Sequence, residues 1–245
     1  MPLPALTQDQ LQALSAGAAF LAAYLLASLG VWLAGRWLRA RPTPLAVSVR
    51  YWPYWPALGR AVSLLASAVY PYAMVLSAAF SAGDVGLTPV DWPAALPWMM
   101  TLGAGGAVWI GVLWGAHRRH AGVAHPRSSW LAVAVDILTN EGTTAIARGA
   151  LIPLAGPYWG IWLAPAAKMV ALRLSPQLSA RLRLPGEHES IYLGWALDWF
   201  AAVVFAFGGG VWGALAARLL GSLAARSMGA RQKPTAGVPP ATRLP

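Results

Sequence analysis

Apolar residues run through this chain in stretches of about 20 residues or more, the length needed to cross a bilayer. Short clusters of arginine, proline and glycine separate them. The pattern predicts six spans: Leu11–Leu38, Ala57–Ala82, Ala94–Ala116, Ser129–Ala155, Tyr158–Leu174 and Ser190–Leu220. The expected fold class is therefore all-α, a polytopic integral membrane bundle of about six transmembrane helices. Residues 1–221 form a single domain on this reading, and 222–245 a basic, proline-bearing disordered tail. Pro42 and Pro44 stop the first span, Pro71 kinks the second, and Gly156-Pro157 makes a tight turn between the fourth and fifth. Gly208–Gly210 interrupts the sixth as a flexible break, or turns the last segment back.

The fourth span departs from the apolar pattern. Asp136, Asn140, Thr144 and Arg148 recur every four residues, forming one slowly drifting polar stripe on a helix. Glu141 lies beside that stripe, two turns from Arg148. A charge at bilayer depth costs roughly 2.5–3.5 kcal/mol on insertion scales, so these groups must face protein, a partner charge or water. Lys168 in the fifth span and Asp198 in the sixth supply partners. The least costly arrangement packs spans four, five and six together, with Lys168 and Arg148 facing Asp136, Glu141 and Asp198. Such a cluster either fixes helix register as an ion-pair network or surrounds a wet pocket used for proton chemistry, ion passage or hydrolysis. Gly142, Ala145 and Gly149 form a small-residue face against which another backbone fits.

Composition strengthens the membrane reading. Of 245 residues 58% are hydrophobic and 11% charged, and 14 are tryptophan, a residue that gathers at headgroup level. The segment Tyr51-Trp52-Pro53-Tyr54-Trp55-Pro56 reads as an interfacial anchor. The net charge of +10 sits in short loops and in the tail, which suggests anionic lipid rather than nucleic acid as the partner. Loops after the first, third and fifth spans are rich in arginine, whereas those after the second and fourth have neither Lys nor Arg. The positive-inside rule then places the N-terminus outside, in what we take as a bacterial cytoplasmic membrane. Six spans would leave the basic tail on the outside, against that rule. The N-terminal segment lacks the basic region of a signal peptide.

Motifs for common chemistries are missing. The chain has no cysteine, no HExxH pair and no GxSxG elbow, and the triple glycine lacks the Lys-Ser/Thr of a phosphate loop. His117, His120, His125 and His188 all fall in loops, the first two flanking arginines, which suits headgroup contact better than metal. No metal and no cofactor are expected.

Asn140-Glu141 followed by Arg148-Gly149 resembles the paired-carboxylate and Arg-Gly element of the CPBP-type (CAAX-protease and bacteriocin-processing) intramembrane proteases, with Asn in place of the first acid and a longer spacing to the arginine. Gly156-Pro157-Tyr158-Trp159-Gly160-Ile161-Trp162 and Ala196-Leu197-Asp198 resemble short bacterial membrane proteins related to that family. The likeness covers the second half of the chain. It implies a membrane peptide substrate, with Glu141 as general base and Arg148 as its orienting partner. No histidine lies within a span, so the family's base or metal ligand has no counterpart, and the site reads as degenerate. The other class open to the sequence is non-enzymatic: a small-solute or proton-coupled carrier, or a scaffold for another membrane protein. No internal repeat supports a carrier.

Overall fold

A computed structural model describes residues 6–41, 43–121, 129–183, 187–208 and 210–230. Among these every regular element is α-helix: α1 Gln8–Ala40, α2 Pro44–Arg50, α3 Trp55–Leu76, α4 Ala82–Val85, α5 Trp92–Ala121, α6 Trp130–Leu174, α7 Pro176–Arg181, α8 Glu187–Gly208 and α9 Gly210–Ala230. Four are long and apolar enough to cross a membrane: α1, α3, α5 and α8.

Local chemistry sets the helix ends. Thr7 and Gln10 form a reciprocal capping box at the start of α1. Thr43 caps α2, whose first residue is Pro44, a position where the missing N–H costs nothing. The Ser129 hydroxyl accepts from the Ala132 N–H to begin α6. The aromatic segment 51–55 forms the exposed turn into α3, with Trp52 packed edge-on to Tyr54 and Trp55.

The helix α6 is a hairpin. At Gly156 the backbone turns into the left-handed region, with φ 79° and ψ 164°, and the arms 130–155 and 157–174 fold back on each other. A Cβ on Gly160 would lie 2.6 Å from Ile152 Cα, and Lys168 reaches Asn140, 28 residues earlier. The expected turn at Gly156-Pro157 is therefore present.

The expectation of one span over Ser190–Leu220 is not met. The glycine run divides it into α8 and α9, which pack as an antiparallel pair. Gly210 adopts φ 67°, and the Gly86 carbonyl accepts the Val211 N–H at 3.1 Å, so the turn is pinned beneath the α4 loop. Nor does the helix stop at residue 221: α9 continues to Ala230. The rest of the expected disordered tail, 231–245, lies outside the described residues, as does His125 and the side chains of His120 and His188.

Among the described residues seven long helical segments thus alternate in direction: α1, α3, α5, the two arms of α6, α8 and α9. Gln10 of α1 bonds the Pro153 carbonyl and Ser28 bonds Ser175, which makes α1 antiparallel to the first arm of α6. Arg60 beside Asp136 and Ser67 against Gly142 make α3 parallel to it. One end of the bundle collects Arg39, Arg41, Arg60, Arg173, Arg181 and Arg226, while the opposite end carries the turns at Gly86, Gly156 and Gly210.

Two groups of helices emerge from the packing: α1, α3 and the α6 hairpin on one side, α5, α8 and α9 on the other. Within the first, Gly142 lets the Ser67 backbone approach and Gly149 lies under the Phe80 ring, as the small-residue face of α6 suggested. Within the second, Gly106 receives Phe200 and Gly111 meets Ala224. Gly105, next to Gly106 in the chain, faces open space. The outward faces of α1, α3 and α5 are apolar, with Leu26, Leu65, Val108 and Trp109 all more than 60% exposed. Apolar surface this extensive fits a hydrocarbon surrounding.

Candidate functional site

The two helix groups meet at a cluster of charged side chains. Glu141, Thr144 and Arg148 come from the first arm of α6, Lys168 from the second, Asp198 from α8 and Arg218 from α9. Lys168 is 7% exposed and the other five at most 2%.

Arg218 is the hub. Its Nε donates to Glu141 Oε2 at 2.8 Å, its Nη1 to Asp198 Oδ1, and its Nη2 to Thr144 Oγ1 at 3.1 Å. The other oxygen of Glu141, Oε1, accepts from Arg148 Nη2. Lys168 Nζ donates to Asp198 Oδ1 at 2.9 Å, to Asn140 Oδ1 at 3.0 Å and to the Asn140 carbonyl at 3.1 Å. The Thr144 hydroxyl in turn donates to the Asn140 carbonyl at 2.8 Å. A planar guanidinium with five donors suits this position, since it joins carboxylates from two helices in one rigid plane.

The charges do not cancel. Three cations (Arg148, Lys168, Arg218) face two carboxylates (Glu141, Asp198), leaving one formal positive charge in the interior. Neutral acceptors offset part of it through Asn140 and Thr144. The Arg148 guanidinium also lies 3.8 Å above the Phe205 ring, whose face carries partial negative charge. Nε and Nη1 of Arg148 have no hydrogen-bond partner.

The expected convergence of Glu141, Arg148, Lys168, Asp198, Asn140 and Thr144 is present in this geometry. Asp136 is the exception. Its side chain is 57% exposed and lies 3.7 Å from Arg60 of α3, outside the buried cluster. The cause is helical drift: twelve residues at about 100° each carry Asp136 about 120° around the axis from Arg148. Arg218, not counted among the expected intramembrane charges, joins the cluster as well. Treating the last apolar stretch as one span put Arg218 near an end. Once the stretch folds at Gly208–Gly210, Asp198 ten residues before and Arg218 eight after fall at one depth. A glycine run flanked by opposite charges at matched distances was the available signal.

A cleft of about 560 Å³ opens beside the cluster at the arginine-rich end, within the size range of small-molecule sites. Asp198, Arg218 and Asn140 form its inner wall, and Arg60, Asp136, Arg181 and Arg226 line it farther out. Neither Glu141 nor Arg148 reaches it. His117, at the same end of the bundle, lies 3.5 Å from Glu189. Among the described residues no group of three or more His, Cys, Asp or Glu is placed to hold a metal ion.

Compared with protein-family models, with curated proteins and with solved structures, the chain finds no match.

Proposed function

We propose that this is a polytopic membrane protein that binds a ligand in the cleft and does not hydrolyse one, its buried charges serving as a lock between two helix groups. The observation that carries the reading is the environment of Glu141. A general base needs to lie within reach of a water or substrate. Each oxygen of Glu141 already accepts from a guanidinium group, and its side chain is buried and does not line the cleft. Descent from a CPBP-type scaffold is compatible with this arrangement: the Glu–Arg element stays, holding helices in place of activating water.

The topology we propose has seven crossings, with the N-terminus outside and the arginine-rich end in the cytoplasm of a bacterial cell. An odd number of passes places the tail inside, which removes the conflict between six spans and the positive-inside rule. The chain lacks cysteine, so single cysteines report topology directly. A Thr88→Cys variant should react with an impermeant thiol reagent on intact cells, and Ser227→Cys only after permeabilisation. The reverse pattern would overturn the orientation.

For the function itself, the purified protein is reconstituted with transmembrane peptide substrates. No cleavage is expected, and Glu141→Gln should lower thermal stability. Cleavage by the wild type that Glu141→Gln abolishes would restore the protease reading.

A further inference from the structure

The helix α1 meets the α6 hairpin closely at two levels and stands off between them. At the level nearer the Gly156 turn, a Cβ on Gly17 would lie 2.5 Å from Ala150 Cβ, and Ala13 and Ala16 are buried. At the level nearer the arginine-rich end, the Ser28 and Ser175 hydroxyls share a hydrogen bond of 2.6 Å. No residue from 17 to 27 is buried. At 1.5 Å of rise per residue the two levels are about 16 Å apart. A groove of about 260 Å³ opens in this interval, within the apolar length of α1.

The lining says what the groove can hold. Leu21 and Tyr24 of α1 face Ile146 and Ala147 of the first arm and Ala167 and Ala171 of the second. Thr143 and Lys168 also line it, and their polar atoms are engaged elsewhere. The Thr143 hydroxyl donates to the Thr139 and Asn140 carbonyls, and the Lys168 ammonium to Asp198 and Asn140. Such a wall gives a charged solute no counter-group, and it rewards hydrocarbon, whose contacts with it are dispersion alone.

At bilayer depth the occupant is either another helix or a lipid chain. Spread over the interval between the two contact levels, 260 Å³ gives a mean section of about 16 Å². A helix, about 10–12 Å across, is several times too wide to enter, whereas an extended hydrocarbon chain fits. The length agrees as well, since each leaflet supplies about half of the roughly 30 Å hydrocarbon core. We propose that this groove holds one acyl chain of a bilayer phospholipid, lying along α1 between its two contacts with the hairpin and packed on the stem of Lys168. The site is separate from the cleft, and it stands or falls apart from the reading of the cleft.

The test uses the full-length protein in a steroid-based detergent, whose fused rings are too wide for the groove. A phosphatidylcholine carrying a diazirine in one chain is added, and after irradiation the labelled residues are located by mass spectrometry. Labelling should concentrate on 143–151 and 167–172 and fall at least about tenfold under excess unlabelled phosphatidylcholine, as at a site with a finite dissociation constant. Labelling of the outward faces of α3 and α5 should stay weak and resist competition. An Ala147→Leu, Ala171→Leu double variant fills the groove, and it should lose the groove labels while keeping those on α3 and α5. If that variant melts far below the wild type, the competition experiment decides alone. Labelling spread evenly over the outward faces overturns the proposal. So does groove labelling that survives competition, or that persists unchanged in a stable double variant. A dimer that the double variant splits, with no lipid label in the groove, overturns it in favour of a second copy of this chain.

Discussion

Two of the seams in this bundle work by different physics. Along the first, α5 meets α8 and α9 through small residues: Phe200 enters the space left by Gly106, Ala224 meets Gly111, and Ile110 packs with Leu197 and Ala225. Along the second, the α6 hairpin meets α8 and α9 through the charge lock. Small-residue packing has no sharply preferred rotation, because dispersion is short-ranged but not directional. The lock is directional. Arg218 meets Glu141, Asp198 and Thr144 together only when α6, α8 and α9 share one register. The difference teaches a division of labour in which apolar contacts supply area and a few buried charges select one arrangement.

The sharpest way to break the comparison is to remove the hub. Arg218→Met should remove one buried hydrogen bond from each of Glu141, Asp198 and Thr144, leaving only the Arg148–Glu141 and Lys168–Asp198 pairs, and cost about 3–5 kcal/mol, seen as a large fall in melting temperature in detergent. A loss no larger than that of a glycine substitution would make the seams equivalent. The next effect belongs to the small-residue seam. Gly106→Ala places a methyl group where the Phe200 ring sits, and the expected cost is about 1–3 kcal/mol in the same assay. Its neighbour sharpens the contrast: Gly105 faces open space, so Gly105→Ala should stabilise by about 0.5–1 kcal/mol through helix propensity alone. Equal effects at the two positions would show that α5 does not pack as described.

The smallest effect lies outside both seams. Burial raises the Asp84 carboxyl above its ordinary value in the α4 loop. A raised folded-state value means that its contribution to stability is fully present at low pH and fades as pH rises through that value. At neutral pH the ionised group slightly opposes folding. Asp84→Asn should therefore change stability by no more than about 0.5 kcal/mol at neutral pH and flatten its acid-side dependence, measured by melting across a pH series.

Much of this architecture was legible in the order of residues. The hairpin tip at Gly156 announces itself because glycine followed by proline ends one helix and starts another. Burial of Glu141, Arg148, Lys168 and Asp198 follows from apolar surroundings that leave a charge no alternative to a protein partner. The partition of the last apolar stretch was less visible. Hydropathy is blind to direction, and Gly208–Gly210 reads equally as a flexible point within a helix or as a reversal. What decides for reversal is the Gly86 carbonyl, about 120 residues earlier, which bonds the Val211 N–H, and no local pattern carries so distant a contact. Asp136 was misplaced for the opposite reason. The stripe was expected to drift slowly, yet over three turns the drift reaches about 120° and carries its first member off the shared face.

The lock also has a chronology. Glu141 and Arg148 lie seven residues apart on one helix, so they neutralise each other as soon as that segment is made. Lys168 arrives 28 residues after Asn140 and finds oxygen acceptors waiting across the hairpin, and Asp198 follows 30 residues later. Arg218, 77 residues after Glu141, comes last and bonds to partners already in place. Each newly synthesised ion thus meets a counter-charge or an oxygen delivered before it, and a ribosome reading this message never has to leave a bare charge stranded for long.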